Sequence, residues 1–79
     1  MAYSIRDAAQ LLAVHPQTLR TWERAGLIKP QRLRGNRRLY SEADMEQLRY
    51  IVHLWRAEGL RVTDIKRVLQ LEGKLDGNA

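Results

Sequence analysis

The fold is decided by the stretch Pro16–Ile28, which has the sequence PQTLRTWERAGLI. Proline suits the first position of a helix, because its missing N–H would be unpaired there anyway. A helix is therefore predicted from Pro16 to about Ala25. Gly26 is predicted to take the left-handed conformation that often follows the end of a helix, and Leu27 and Ile28 then turn into the core.

A shorter helix is predicted just upstream of this stretch. Ser4 can cap it, with Asp7 three residues later reaching back to the cap. Its apolar side consists of Ala8, Ala9, Leu11 and Leu12. The residues Val14-His15-Pro16 then break the helix. A helix, a tight break, a second helix and a glycine stop form the order of a helix-turn-helix.

The chain downstream of Ile28 changes its pattern. Residues Gln31–Tyr40 predict a two-stranded hairpin, with Gly35 and Asn36 offering positive φ at its tip. Ser41 then caps a third helix, with Asp44 at the third position. The apolar face of this helix consists of Met45, Leu48, Ile51, Val52 and Trp55. We expect Trp22 and Trp55 to be core residues and His53 to lie beside the core face.

The remaining residues predict a fourth helix and a tail. Ala57–Gly59 closes the third helix, and Thr63 can cap the fourth. Its apolar positions are Ile65, Val68, Leu69 and Leu71. The predicted fold class is mainly α, a winged helix-turn-helix with four helices and a small two-stranded β-hairpin wing. The domain is expected to cover residues 1–72, and residues 73–79 are expected to be a flexible tail.

The composition limits the functions that the chain can have. A chain of 79 residues has room for one domain only. Cysteine is absent, which excludes disulfides and thiolate chemistry. Neither a signal peptide nor a stretch of ~20 apolar residues occurs, so a cytoplasmic location is expected. The two histidines have no metal-binding spacing and no catalytic motif is present, so we expect no enzyme, no metal and no cofactor.

Positive charge is concentrated in one part of the chain. The formal charge is +5. The stretch from Arg20 to Arg38 contains seven basic residues and one acid, Glu23, and therefore carries +6, so the remainder carries −1. Six of the seven are arginines, whose planar guanidinium suits bidentate contacts to phosphate or guanine. A solvated basic loop is the alternative interpretation of this stretch.

The second helix carries a polar face within this basic stretch. Helical spacing of three and four residues places Gln17, Arg20, Thr21 and Arg24 on one face. Leu19 and Trp22 lie on a different side of the helix. Such a face suits the major groove of DNA, where Arg can bridge guanine acceptors and Gln can bridge adenine. The alternative is a solvated face on which Arg20 or Arg24 pairs with Glu23.

Two further groups of residues could contact the DNA backbone. The hairpin tip places Arg34, Asn36, Arg37 and Arg38 within five residues, which predicts a contact to phosphates or to the minor groove. Tyr40 could donate a hydrogen bond to a phosphate or could simply be packed. The corner after Gly59 presents Arg61 beside a helix N-terminus, with Lys66 one turn inside, and this arrangement also favours a phosphate.

Together, the motif from Pro16 to Ile28 and the segment Arg34–Ser41, with the sequence RGNRRLYS, resemble the MerR family of transcription regulators. The resemblance covers about residues 3–71. Within the family, His15–Arg20, Glu58–Leu60 and Ile65–Leu69 are most similar to HspR-type repressors of heat-shock and chaperone operons. Gly35–Leu39 is similar to the glutamine-responsive repressors GlnR and TnrA, which rank second.

The resemblance implies a winged domain whose second helix enters the major groove and whose two wings grip the flanking backbone. It places Gln17, Thr18, Arg20 and Thr21 in the groove, with His15 as a further polar group near the DNA. It assigns the first wing to Arg34, Arg37, Arg38 and Tyr40, and the second wing to Arg61 and Lys66.

Three functions follow from these observations. The first is a sequence-specific repressor of double-stranded DNA, of the heat-shock or chaperone operon type, located at the nucleoid. The second is an architectural or excisionase-like DNA-binding protein that acts in recombination or compaction. The third is an interaction module whose basic face meets an acidic protein. Val68, Leu71 and Leu75 form an apolar row that could support a homodimer or a head-to-tail oligomer. A protein co-repressor is a possible further partner.

Overall fold

The computed structural model describes residues 1–75 and contains four α-helices and three short β-strands. The four-helix winged helix-turn-helix architecture predicted from the sequence is confirmed, with one more strand than expected. The helices are α1 (Ile5–Leu12), α2 (Pro16–Arg24), α3 (Glu42–Arg56) and α4 (Val62–Leu71). The strands are β1 (Ala2–Tyr3), β2 (Gln31–Arg32) and β3 (Arg38–Ser41), and a 3-10 turn at Arg34–Asn36 joins β2 to β3.

Several helix ends have the capping contacts that the sequence predicts. The Ser4 hydroxyl accepts a hydrogen bond from the Asp7 N–H at 3.1 Å. Ser41 and Asp44 form a reciprocal capping box, with distances of 3.0 and 2.9 Å. Gly26 has a φ of 84°, which is the left-handed stop expected after α2. These contacts satisfy backbone groups that a helix end would otherwise leave unpaired.

The three strands form one small antiparallel sheet with β3 in the middle. The predicted hairpin is confirmed, because β2 pairs with β3 and its tip has positive φ at Gly35 and Asn36. The sequence pattern does not predict β1, which pairs with the other edge of β3. A two-residue strand is too short to show an alternating pattern. A hydrogen bond of 2.7 Å from the Tyr3 hydroxyl to Glu42 ties β1 to α3.

The core lies between the helices and receives side chains from all four of them. Each fully buried leucine or isoleucine stabilises the fold by roughly 1.5–3 kcal/mol through removal of apolar surface from water. In α2 the buried residues are Leu19 and Trp22, so the opposite face of this helix is free to be polar. The core comprises Ala8, Ala9, Leu12, Leu19, Trp22, Leu27, Ile28, Tyr40, Met45, Leu48, Ile51, Leu54, Ile65 and Leu69.

Some predicted core positions are wrong. Trp55 is 38% exposed, and Leu54 takes the buried position at this end of α3. The Trp55 ring packs edge-on against Trp22, with the centroids 5.4 Å apart, and so covers the core as an outer layer. Leu11 and Leu71 are also exposed. The His53 side chain is 57% exposed, and its Nε2 lies 3.7 Å from a Glu58 carboxylate oxygen.

The beginning and the end of α4 differ from the prediction. Its cap is Arg61 and not Thr63, because the Asp64 carboxylate accepts the Arg61 N–H at 3.2 Å. The tail expected from residue 73 is packed over its first three residues. The N–H of Lys74 donates to the Leu69 carbonyl at 2.8 Å, and Leu75 packs against the core. The rest of the predicted tail, 76–79, lies outside the described residues.

Candidate nucleic-acid interface

The outward face of α2 is polar, as the helical spacing predicts. The Arg20 guanidinium lies 3.4 Å from the Gln17 side-chain oxygen, and the Arg24 guanidinium lies 3.4 Å from the Thr21 hydroxyl. Both contacts join residues one turn apart, so all four side chains share one face. Thr18 is half-buried at the margin of this face. The structure therefore brings the expected groove-facing residues together.

His15 holds the beginning of α2. Its Nδ1 accepts a hydrogen bond from the Gln17 N–H at 3.0 Å and thereby acts as the helix cap. Because Nδ1 is the acceptor, the neutral ring carries its proton on Nε2, which is a donor. This side chain is exposed at the same end of α2 as Gln17. His15 thus positions the helix and also offers a donor beside its polar face.

A cluster of three charged residues joins α2 to the hairpin, and we call it the wing clasp: Glu23, Arg32 and Arg38. Glu23 lies on α2, while Arg32 and Arg38 face each other across β2 and β3. One Glu23 oxygen accepts from Arg32 at 2.8 Å and the other from Arg38 at 2.5 Å. The Glu23 and Arg38 side chains are only 18% and 19% exposed. The clasp therefore fixes the hairpin against α2.

The electrostatics of Glu23 follow from this geometry. Partial burial raises the pKa of the carboxyl, but the hydrogen bonds from Arg38 and Arg32 and their positive charges outweigh burial. The net result is a pKa below the ordinary value of 4.5. Glu23 is therefore ionised at neutral pH and balances one of its two arginines.

The wing clasp changes the role predicted for Arg38. Arg38 was expected to serve the DNA surface, but its Nε is occupied by Glu23 and its side chain is mostly buried. The alternative in which Glu23 pairs with Arg20 or Arg24 is wrong, because Glu23 pairs across to the hairpin. Arg38 therefore holds the wing against α2, since a mostly buried cation is stable only beside its counter-charge.

The hairpin tip is braced from inside by Arg32. Its Nη1 donates to the Asn36 carbonyl at 2.9 Å and to the Asn36 side-chain oxygen at 3.0 Å. Asn36 is thus held in its left-handed conformation, with φ 64°. Arg34 and Arg37 remain exposed on this braced turn. Of the residues predicted at the tip, these two are the cations best placed to meet a phosphate.

Tyr40 is a core residue and not an exposed donor. The side chain is 0% exposed, and its hydroxyl has no hydrogen-bond partner within the described residues. Burial raises the pKa of Tyr40 to about 12, although the nearby charges of Arg38, Arg32 and Arg20 lower it. The phosphate contact considered for Tyr40 is therefore not supported, and the packed alternative describes it.

Replacing Tyr40 by phenylalanine is expected to leave stability unchanged or to raise it by up to about 1 kcal/mol. The reason is that the substitution removes a buried hydroxyl without a partner and keeps the ring. Thermal unfolding with Tyr3→Phe as the control measures the effect, since Tyr3 donates to Glu42. DNA affinity is expected to be the same for Tyr40→Phe and the wild type. A loss of affinity in Tyr40→Phe alone would reinstate the phosphate contact.

The residues assigned to the second wing lie at the start of α4. Arg61 is exposed at the helix cap, and Asp64 occupies part of the helix N-terminus that a phosphate was expected to approach. The Lys66 ammonium lies near Gly26, 3.5 Å from where a Cβ on that glycine would be. Lys66 therefore lies beside the carboxyl end of α2, where a positive charge is favourable.

The roles of Glu23 and Arg32 in this site are not predicted by the sequence pattern. A signal existed, because Glu23 is the only acid between Arg20 and Arg38. A single carboxylate among seven cations is expected to be paired, but the choice of partners depends on how the hairpin packs against α2. Among the described residues, no group of three His, Asp or Glu side chains could hold a metal ion. None of the helices in residues 1–75 is long and apolar enough to cross a membrane.

The sequence of this chain is similar to those of several known proteins. The chain is 45% identical over 73 residues to the putative heat shock protein HspR of Streptomyces coelicolor, covering 92% of this chain and 48% of that protein. It is 41% identical to the transcriptional regulator MlrA of Escherichia coli, covering 89% of this chain and 29% of that protein. The chain thus spans about half the length of the first relative and less than a third of the second.

A solved structure shares the fold described above. It is the crystal structure of HiNmlR, a MerR family regulator lacking the sensor domain, bound to promoter DNA. The TM-score is 0.77 at 25% identity, covering 91% of this chain and 55% of that one. Residues 3–72 match the family described as MerR HTH family regulatory protein. Since this match includes all four helices and the hairpin, the chain belongs to the MerR family of helix-turn-helix regulators.

Proposed function

We propose that the chain is the DNA-binding domain of a sequence-specific transcriptional repressor of the HspR type, acting at a heat-shock or chaperone operon. The observation that carries this proposal is the wing clasp, which holds a polar α2 face beside an arginine-bearing hairpin. The 45% identity to a putative HspR supports the choice of operon. The HiNmlR structure supports DNA as the ligand, because that relative is bound to promoter DNA.

In this proposal α2 lies in the major groove. Arg20 and Arg24 can each bridge two acceptors of guanine, and Gln17 can bridge adenine. Thr18 and Thr21 can bond a base edge or contact a thymine methyl group. These side chains determine which sequence is bound, because phosphate contacts carry no direct sequence information.

The two wings contact the backbone on either side of the groove. Arg34 and Arg37 on the braced hairpin tip approach phosphates or the minor groove. Arg61 and Lys66 serve the other side in the same way, with Lys66 close to the end of α2. The affinity supplied by these cations falls as salt rises, because binding releases counterions from the DNA.

We further propose that the protein acts as a homodimer or as a head-to-tail oligomer on nucleoid DNA in the cytoplasm, with a protein co-repressor as a possible additional partner. The support is Leu71 at the end of α4, which is 77% exposed, whereas Val68 and Leu75, the other two residues of the predicted apolar row, pack against the core. A two-fold pair would bind two half-sites at a fixed spacing. Head-to-tail copies would bind direct repeats.

Selection of bound sequences from a random duplex pool tests the function and the assembly together. Enrichment of a defined motif supports the repressor, and its symmetry distinguishes inverted from direct repeats. Binding without enrichment, accompanied by cooperative filaments, would instead indicate an architectural or excisionase-like protein. No binding to duplex DNA at ~50 mM salt would indicate a module that binds an acidic protein.

Arg37→Ala is expected to weaken binding to the selected motif and to random duplex by the same factor. The reason is that a phosphate contact does not depend on base sequence. The slope of log K against log salt should fall by about 0.9, the value for one phosphate contact. Fluorescence anisotropy at several salt concentrations measures both quantities. Arg49→Ala, an exposed change on α3, is the control; an unchanged slope in Arg37→Ala would contradict the wing assignment.

A further inference from the structure

The last turn of α3 contacts the turn between α1 and α2, which lies more than 40 residues earlier in the sequence. Arg56 Nη1 donates to the Leu12 carbonyl at 3.3 Å, and Arg56 Nη2 donates to the Ala13 carbonyl. Both carbonyls are at the carboxyl end of α1, where the helix leaves its last acceptors without internal donors. A single guanidinium therefore caps the end of the first helix of the helix-turn-helix.

The backbone at this turn explains why an external cap is useful. Ala13 has a φ of 57°, a left-handed conformation that glycine adopts readily and alanine does not. The turn is held by the bonds from the Ala13 N–H to Gln10 and from the Val14 N–H to Ala9. Arg56 adds two donors on the carbonyl side and a positive charge at the negative end of the helix. The turn thus depends on α3 for part of its stability.

The same guanidinium is linked to α2 through two aromatic rings. It lies 5.5 Å from the centre of the Trp55 ring, and that ring packs edge-on against Trp22 of α2, 5.4 Å away. Trp22 is 2% exposed and fixed in the core, while Trp55 covers it from outside. Cation-ring and edge-to-face contacts both favour one relative orientation. The end of α3 therefore touches both helices of the helix-turn-helix.

We infer that Arg56 is a positioning residue for DNA recognition, which fixes α2 relative to α1 without contacting DNA. The inference rests on the function proposed above. The chain passes directly from Arg56 into the corner Ala57–Arg61 of the second wing. Arg56 consequently holds the α1–α2 turn from the helix that leads into the second wing. Loss of this link lowers the fraction of molecules in which α2 is aligned for a specific site.

The test compares Arg56→Met with Arg67→Met, a matched change at an exposed arginine of α4, on the selected motif and on random duplex. Arg56→Met is expected to lower affinity for the motif by roughly tenfold, because fewer molecules are in the competent arrangement. Its affinity for random duplex should change by less than about twofold, and the salt slope should stay as in the wild type. Arg56→Lys keeps the charge but loses the planar guanidinium that donates to both carbonyls. Its affinity for the motif should therefore lie between those of the wild type and Arg56→Met.

Other outcomes overturn the inference. Equal losses on both duplexes, with a salt slope reduced by about 0.9, would mean that Arg56 contacts a phosphate directly. An unchanged preference for the motif in Arg56→Met would mean that the link has no part in recognition. A wild-type protein that selects no motif would contradict the proposed function itself, whereas the first two results contradict only the role of Arg56.

A second variant separates positioning from loss of folding. Ala13→Gly removes the Cβ at the left-handed position, so the turn no longer needs Arg56 to hold it. The double variant Ala13→Gly with Arg56→Met is expected to regain at least half of the lost preference for the motif. Circular dichroism at the assay temperature verifies that each variant is folded. A double variant that is folded and has no better preference than Arg56→Met overturns the inference.

Discussion

Glu23→Gln is expected to unfold about 10 °C below the wild type. The substitution leaves Arg32 and Arg38 with a neutral partner, and the Arg38 side chain is only 19% exposed. Removing one partner of a fully buried ion pair costs about 3–5 kcal/mol, while an exposed pair contributes about 0–1 kcal/mol. The wing clasp lies between these limits, so we expect a loss of about 2 kcal/mol. In a domain of this size, 1 kcal/mol shifts Tm by roughly 4–8 °C.

The matched control for this prediction is Glu46→Gln. Glu46 lies on α3, is exposed and forms no ion pair within the described residues, so the change of net charge is the same. Differential scanning calorimetry of both variants at neutral pH measures the difference. If both variants lose the same stability, the effect comes from net charge and the wing clasp has no special role.

The clasp also predicts a pH dependence. The pKa of Glu23 is lower in the folded protein than its ordinary value of 4.5, so its ionised form stabilises the fold. This contribution is complete above pH 4.5 and is lost as pH falls through the folded pKa. The Tm difference between wild type and Glu23→Gln should therefore be constant from pH 7 to pH 5 and shrink below pH 4.5. A difference that disappears above pH 5 would show that another group is responsible.

Local signals made most of the fold predictable. Serine caps, a proline at the first position of α2 and the left-handed Gly26 each specify a boundary through bonds within a few residues. The corresponding contacts are present at Ser4 and Ser41. The strand β1 could not be predicted, because two residues carry no periodicity. The exposure of Trp55 could not be predicted either, since helical spacing defines a face of α3 but does not say how far the core extends beneath it.

The candidate site was predictable only as far as one helix face and one turn. Gln17, Arg20, Thr21 and Arg24 share a face by helical geometry alone, and the structure places them so. The roles of Arg38 and Tyr40 depend on the packing of the hairpin against α2. The contact between Glu23 and Arg38, for example, joins residues that are 15 positions apart in the sequence. Charge counts assign every arginine of this stretch to a basic surface. The structure instead uses two of them to hold that surface together.

Arg20→Ala is expected to reduce affinity for the selected motif by about 1–3 kcal/mol, or roughly 5- to 150-fold, with most of the loss at one base pair. A guanidinium that bridges two guanine acceptors gives discrimination of this size against the wrong base. Arg20 is the best candidate for this contact. It lies in the middle of the polar face and contacts Gln17.

Repeating the sequence selection with Arg20→Ala and with Arg24→Ala identifies which base pair each arginine contacts. Arg20→Ala should lose preference at one position of each half-site and keep the rest of the motif, since mismatches at separate positions are roughly additive. Arg49→Ala on α3 is the control with the same loss of charge. Arg20 contacts phosphate instead if its loss weakens every sequence equally, as expected for Arg37→Ala. In that case Gln17 and Thr21 remain residues of the major-groove face, and Arg20 belongs to the backbone-binding surface.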